Sequence, residues 1–302
     1  MDRGRSPLPD HGSRRLAVIV VKIGGAAAVD PAGALADVAA VAGAADHDDV
    51  VVVHGGSTAV DDLLDRLGID PTYVETPAGV TGRFTDEATM EAFTMAMSRV
   101  NAELVVGLRD AGADAVGLSG ADGGLLTGPR KSAVRVVEDG RKKIKRGDHS
   151  GRIEDVDDGL LRTLVADGRV PVVGPPMLAD DGVAVNTDAD RAAAAVAAAL
   201  GAELVLLTDV SGVYADPDDP ETRIGSVATP DEFAALEDAA EGFMRRKVMA
   251  VAEALAGGAS GAVVADANAE RPVRAALSGE GTHVAPEAVA EGRKGNGDDD
   301  RV

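Results

Sequence analysis

The chain has 302 residues, a formal net charge of −21 and an apolar fraction of 45%, yet aromatic residues supply only 2% and Trp is absent. That length holds one large or two modest domains whose core must be built from Ala, Val and Leu. The charge disfavours nucleic acid and anionic membranes as partners, and the absence of Cys excludes disulfides, thiolate metal sites and a cysteine nucleophile.

Asp is abundant, and the only lysines are Lys22, Lys131, Lys142, Lys143, Lys145, Lys247 and Lys294. Together with small apolar residues, this points to adaptation to high salt; an ordinary acidic protein from a GC-rich genome is the alternative. No run approaches the ~20 consecutive apolar residues of a membrane span, and residues 1–15 lack a hydrophobic signal core, so a cytoplasmic protein is expected.

Residues 1–15 have no periodicity and read as a disordered lead, as does the acidic tail over 287–302. The apolar run Leu16–Ile23 predicts a buried parallel strand ending in Gly24 and Gly25. Amides of such a turn form an anion site, and Lys22 at the strand end must find an anion or lose its charge. Taken alone, the segment fits phosphate binding or a structural turn equally.

A helix over Pro31–Ala45 leads to a strand over Val50–Val53, then Gly55, Gly56, Ser57 and a helix over Ala59–Leu67. A long helix over Thr85–Ala111 precedes the strand Ala115–Leu118 and the turn at Ser119 and Gly120. Residues 131–153 predict a β-hairpin with a basic return strand. Helix Asp157–Asp167 and strand Val170–Val173 run to a Gly-Pro-Pro break at Gly174, where the chain divides into parts 16–175 and 176–286. Helix Asp188–Leu200 then feeds strand Leu204–Leu207, helix Phe243–Ala256 feeds strand Gly261–Ala265, and a short strand lies near Thr282–Val284. Strands separated by helices imply a parallel sheet covered on both faces.

Ligands of open α/β sheets bind beyond the carboxyl ends of the strands. The glycine turns after the first two strands share that rim with Thr208-Asp209-Val210-Ser211-Gly212-Val213-Tyr214, which suits a nucleotide's ribose and base edge or an Asp-capped turn. In Gly242–Lys247 a lysine opens a helix, against the macrodipole, and so points to a nearby anion; a solvated lysine is the alternative. No P-loop and no Gly-x-Gly-x-x-Gly follows the first strand, and the five histidines show no metal spacing, so no metal ligands are expected.

Taken in order, Val20–Gly25, Val53–Ser57, Val185–Asp190, Leu206–Val213 and Gly242–Lys247 resemble the amino acid kinase family, in its acetylglutamate kinase branch. Gly79–Asp86 resembles the archaeal-type kinases that act on glutamate or aminoadipate bound to an acidic LysW-type carrier protein. The resemblance implies an open α/β/α sandwich on a mainly parallel sheet of about eight strands. Its first part would bind the acyl substrate and form a homodimer, and its second would hold ATP with Mg²⁺ on the nucleotide phosphates. Lys22 and Lys247 match the lysines that stabilise the transferring phosphoryl group, and Asp190 the carboxylate that orients them. Gly55, Gly56, Ser57, Arg83 and Asn186 match the acyl-substrate site, and Gly24, Gly25 and Thr208 to Tyr214 the nucleotide site. The implied activity is carboxylate phosphorylation in arginine or lysine biosynthesis. Free N-acetylglutamate is the alternative substrate, and a non-catalytic effector sensor a remote one. Lys142, Lys143, Lys145 and Arg146 form a basic patch expected either to meet the carrier or to guard a sheet edge.

Overall fold

In the opening strand, β1 (Val18–Ile23), side chains alternate between two apolar layers, and this alternation fixes where each polar residue points. Ile19 and Val21 enter one core, while Val20 enters the other, so Lys22 falls on the Val20 side. A computed structural model describes residues 18–24, 31–44, 49–75, 77, 81–138 and 141–289. The expected lead, Gly25 and the tail beyond 289 lie outside them.

The elements follow in order: α1 (Pro31–Ala42), β2 (Asp49–His54), α2 (Ser57–Leu67), β3 (Thr72–Glu75), β4 (Thr81–Phe84), α3 (Glu87–Asp110) and β5 (Ala115–Ser119). Next come β6 (Leu126–Gly128), β7 (Arg130–Glu138), β8 (Arg141–Gly151), β9 (Asp155–Val156), α4 (Asp158–Ala166), β10 (Val170–Gly174), β11 (Met177–Ala179) and β12 (Ala184–Val185). The last are α5 (Ala189–Leu200), β13 (Glu203–Thr208), β14 (Ser226–Val227), α6 (Pro230–Ala239), α7 (Gly242–Ala256), β15 (Gly261–Asp266), α8 (Pro272–Leu277) and β16 (Thr282–Val284).

The main sheet has eight strands in the order β14-β16-β15-β13-β1-β2-β10-β5. It is parallel from β15 to β5, β16 runs antiparallel to β15, and the edge strand β14 is parallel to β16. Helices α4, α5 and α7 bury Ala, Val and Leu against the Val20 face, and α1, α3 and α8 cover the other. The expected α/β/α sandwich is therefore the observed architecture.

Local rules account for the boundaries. α3 begins two residues after its predicted start, because Asp86 takes the N-cap and accepts from Thr89 N–H at 2.9 Å, which leaves Thr85 outside the helix. α5 is rich in Ala, and side chains that small let its backbone approach both the sheet and α7. The predicted basic hairpin forms as β7 and β8. The pairs β3–β4 and β11–β12, and the short strands β6, β9 and β14, were not expected.

Candidate active site

β1 lies near the middle of the sheet, so its carboxyl end opens where helices from both halves meet. Lys22, on the face covered by α5, reaches Asp190 Oδ1 at 2.7 Å. Asp190 sits in the first turn of α5, where the helix dipole favours a carboxylate and Asp188 caps the helix through the N–H groups of Asp190 and Arg191. From the first turns of α7, Lys247 Nζ donates to Asp190 Oδ2 at 3.2 Å. Two ammonium groups thus flank one buried carboxylate. Arg191 pairs with Glu253 at 2.8 Å and ties α5 to α7, which holds the Asp190–Lys247 geometry.

The electrostatics follow from burial. Desolvation alone would raise the Asp190 carboxyl, but Lys22 and Lys247 outweigh it and bring its pKa below the usual carboxylate range. For Lys247 burial comes first and lowers the pKa; repulsion from Lys22 adds to that, and Asp190 only partly compensates. Asp188 adds a smaller opposing charge to Lys247, so the floor presents two ammoniums held beside carboxylates. That is the arrangement expected to receive phosphate oxygens.

Across the rim lies a second constellation. Arg83 on β4 is almost fully buried and meets Asp61 of α2 at 2.6 Å, while its Nη2 also donates to the Ser57 carbonyl and hydroxyl, both at 3.1 Å. Tyr73 completes the group, donating to Asp61 at 2.9 Å. Arg83 Nε is buried without a partner, which leaves an unmet donor beside the mouth. Asp61 was missed in the sequence, although it stands one helical turn after Ser57 and so shares its face. Asn186, just past β12, donates to the Thr85 hydroxyl at 3.0 Å.

Gly55 and Gly56 link β2 to α2, and the Gly55 N–H donates to the carbonyl of Ile23 at 3.3 Å. A side chain at Gly56 would run into Met97. Beneath the turn, His54 contacts the Gly55 carbonyl and Asn101 Nδ2, each at 3.0 Å. Burial pushes its pKa down, the Gly55 carbonyl opposes and Lys22 adds to the lowering, so the ring is neutral near pH 7. A neutral ring with one N–H satisfies both contacts: Nδ1 donates to the carbonyl and Nε2 accepts from Asn101.

The expected nucleotide loop leaves β13, the neighbour of β1. Thr208 donates to Asp209 at 3.0 Å, and Ser211 to Asp266 at 3.3 Å. Gly212, at φ 144°, lies against Thr282, whose hydroxyl accepts from Val213 N–H at 2.9 Å. Val213 is buried as a whole residue, and its carbonyl accepts from Ile224 N–H at 2.9 Å, so the expected contact of Val213 with a nucleotide has no outward-facing group here. Tyr214 bridges to Arg223. Gly24 follows β1 directly, on the same rim.

The basic hairpin differs from its expected form as a single patch. Pleating puts Lys142 and Arg146 on one face with Ile144, and Lys143 and Lys145 on the other with the buried Val136. Lys145 lies over the Phe84 ring, 4.3 Å from its centroid and one residue from Arg83.

The amino acid kinase family model matches residues 17–266. The [LysW]-aminoadipate kinase of Deinococcus radiodurans is 43% identical over 269 residues, covering 88% of this chain and 91% of that protein. The [LysW]-aminoadipate kinase of Thermus thermophilus is 42% identical over 274 residues, covering 88% of this chain and all of the relative. Among solved structures, N-acetylglutamate synthase from Neisseria gonorrhoeae superposes with a TM-score of 0.69 at 23% identity. That match takes in 89% of this chain but spans only 59% of the synthase chain, and it speaks for the fold alone. With two lysines on one carboxylate at the rim of this sheet, and a family model running through all but the last strand of its core, the chain belongs to the amino acid kinase family.

Proposed function

We propose that this protein transfers the γ-phosphoryl group of ATP to the side-chain carboxylate of L-2-aminoadipate or L-glutamate carried on an acidic LysW-type protein. The observation that carries the proposal is the convergence of Lys22 and Lys247 on Asp190, beside the Arg83–Ser57 group. A substrate carboxylate has a pKa near ~4 and is already ionised at pH 7, so no general base is needed. The task is alignment and charge neutralisation. Lys22 and Lys247 would stabilise charge on the transferring group, Asp190 would keep both ammoniums in place, and glycine amides at Gly24 and Gly56 would meet phosphate or carboxylate oxygens. ATP supplies the phosphoryl group with its Mg²⁺; the ammonium and amide donors of the rim fit a polyphosphate. Arg83 and Asn186 would orient the acyl substrate. The product is an acyl phosphate.

The test is an assay with Mg-ATP on carrier-bound aminoadipate, carrier-bound glutamate and free N-acetylglutamate, trapping the acyl phosphate with hydroxylamine. Turnover confined to carrier-bound substrates supports the proposal. Turnover of N-acetylglutamate alone would replace it with the arginine-pathway kinase, and no turnover on any of the three would leave an effector sensor.

The carrier is expected to dock on the open face of the hairpin, where Lys142 and Arg146 flank the half-exposed Ile144. Reversing both charges (Lys142→Glu with Arg146→Glu) is expected to lower kcat/KM for carrier-bound substrate at least ~10-fold, about 1.4 kcal/mol. Activity on any free acyl-glutamate should hold. Lys145→Glu, in contrast, removes the cation over Phe84 and should impair both substrates. If the double variant loses both activities equally, the hairpin supports the fold instead. In a cytoplasm near molar salt, to which the acidic composition is suited, the Debye length is only ~3 Å, and direct contacts rather than long-range steering would carry the docking.

A homodimer is also proposed. Met95 and Val106 lie eleven residues apart on α3, hence on one helical face, and both are exposed. Val106→Glu is expected to convert a dimer to a monomer in light scattering; an unchanged mass would place the contact elsewhere.

A further inference from the structure

We infer that Thr85 and Asp148 are positioning residues that lock the side-chain amide of Asn186, and the strand end carrying Arg83, into one frame for the acyl substrate. The inference rests on the assignment of Asn186 and Arg83 to that substrate. Three segments far apart in sequence meet at Thr85: the junction of β4 with α3, the last residues of β8, and the residue after β12.

Thr85 is fully buried and uses every polar atom it has. Its N–H donates to Asp148 Oδ1 at 3.1 Å, its carbonyl accepts from His149 N–H at 2.7 Å, and its hydroxyl accepts from Asn186 Nδ2 at 3.0 Å. The backbone of Asn186 is held separately, donating to the His149 carbonyl and accepting from Gly151 N–H, each at 2.8 Å. Main chain and side chain of Asn186 are therefore fixed by different partners. In this arrangement the Asn186 amide spends one N–H hydrogen on the Thr85 hydroxyl, leaving Oδ1 and the second N–H hydrogen for a ligand.

Asp148 is the anchor of this frame. It is 1% exposed, and among the described residues no Lys or Arg forms an ion pair with it. Its charge is met by the N–H groups of Thr85 and Ser150 and by the Ser150 hydroxyl. Hydrogen bonds to a charged acceptor are stronger than neutral ones, and a carboxylate held by donors from two segments fixes β8 against the end of β4. Arg83 is two residues from that anchored N–H. A purely apolar packing site would accept Val in place of Thr85, since the two side chains have the same shape. What Val cannot do is accept from Asn186.

The test therefore compares Thr85→Val with Thr85→Ser, with carrier-bound aminoadipate as the acyl probe and ATP as the second substrate. Thr85→Val is expected to raise KM for the acyl probe ~10-fold, the loss of one buried acceptor, with KM for ATP within ~2-fold of wild type. Thr85→Ser keeps the hydroxyl and should restore acyl KM to within ~2-fold of wild type. Should Thr85→Val fail to fold, Asp148→Asn serves as the second variant, with the same expected split between acyl and ATP KM. Equal rises in both KM values, without rescue by Ser, would show a merely structural role and overturn the inference. Asn186→Ala separates the two levels of the argument. If it raises acyl KM while Thr85→Val does not, the positioning role falls and the assignment of Asn186 stands. If Asn186→Ala leaves acyl KM unchanged, the assignment itself falls, and the inference with it.

Discussion

Lys22→Ala and Lys247→Ala are each expected to lower kcat by ~10²–10³ while changing the KM values little, because each removes a donor whose contribution is largest as charge develops. Both lysines touch the same carboxylate, so they occupy two sides of one point on the rim. Lys is better suited to this place than Arg, since a compact ammonium can follow a moving phosphoryl group. The two effects should also be strongly non-additive, because the pair shares Asp190. Single-turnover measurement of acyl-phosphate formation checks this. Unchanged turnover in either variant would remove that lysine from the chemistry.

Asp190→Asn is expected to be as damaging to activity and also to stability. Removing the carboxylate leaves two buried ammoniums facing one another, and breaking such a buried group costs about 3–5 kcal/mol. The pH dependence follows from the sign of its shift. The native pKa of Asp190 lies below its unfolded value, so its stabilisation is complete above about pH 4, the unfolded pKa, and fades as pH falls through the depressed native one. The stability gap between wild type and Asp190→Asn, read from urea melts, should therefore be widest at neutral pH and narrow in acid. Adding Lys247→Met to Asp190→Asn should recover part of the lost stability without recovering activity. A gap that stays constant down to pH 2 would mean that the lost stability does not come from the charge.

Much of this architecture was legible because its signals are periodic. The apolar run of β1, the Ala-rich α5 and the long α3 declare themselves, and the rim rule for parallel sheets then gathers Lys22, Gly56 and Asp209 at one edge. That Lys22 needs an anion was implied by burial alone, but that Asp190 supplies the carboxylate came only from the resemblance to the kinase family, because the covering helix lies far away in sequence. Other features left weaker traces. Thr229-Pro230-Asp231-Glu232 carries a capping box with Pro in the first turn, so the start of α6 was readable in retrospect. The two-residue strands β9, β12 and β14 offer no period to detect. Asp148 and Thr85 were hidden for a different reason. Their meaning depends on contacts across more than sixty residues of chain, which no local pattern records. The hairpin was visible as a charge cluster, but only its pleat divides the cations between an open face and the packing around Phe84.

The position of β1 has a consequence for how such a protein can arise or be taken apart. Its residues Ile19 to Lys22 are laced to Glu203 to Leu206 of β13, so the first half of the chain supplies the strand on which the second half grows its sheet. Cut at the Gly-Pro-Pro segment and separated, the first half would expose one full edge of β1, flat, apolar and unpaired, ready to stick to any other strand. The second half would lose the lysine that faces Asp190. Neither piece could be borrowed by another gene as a working unit, and duplication or fusion can carry this chemistry only as a whole.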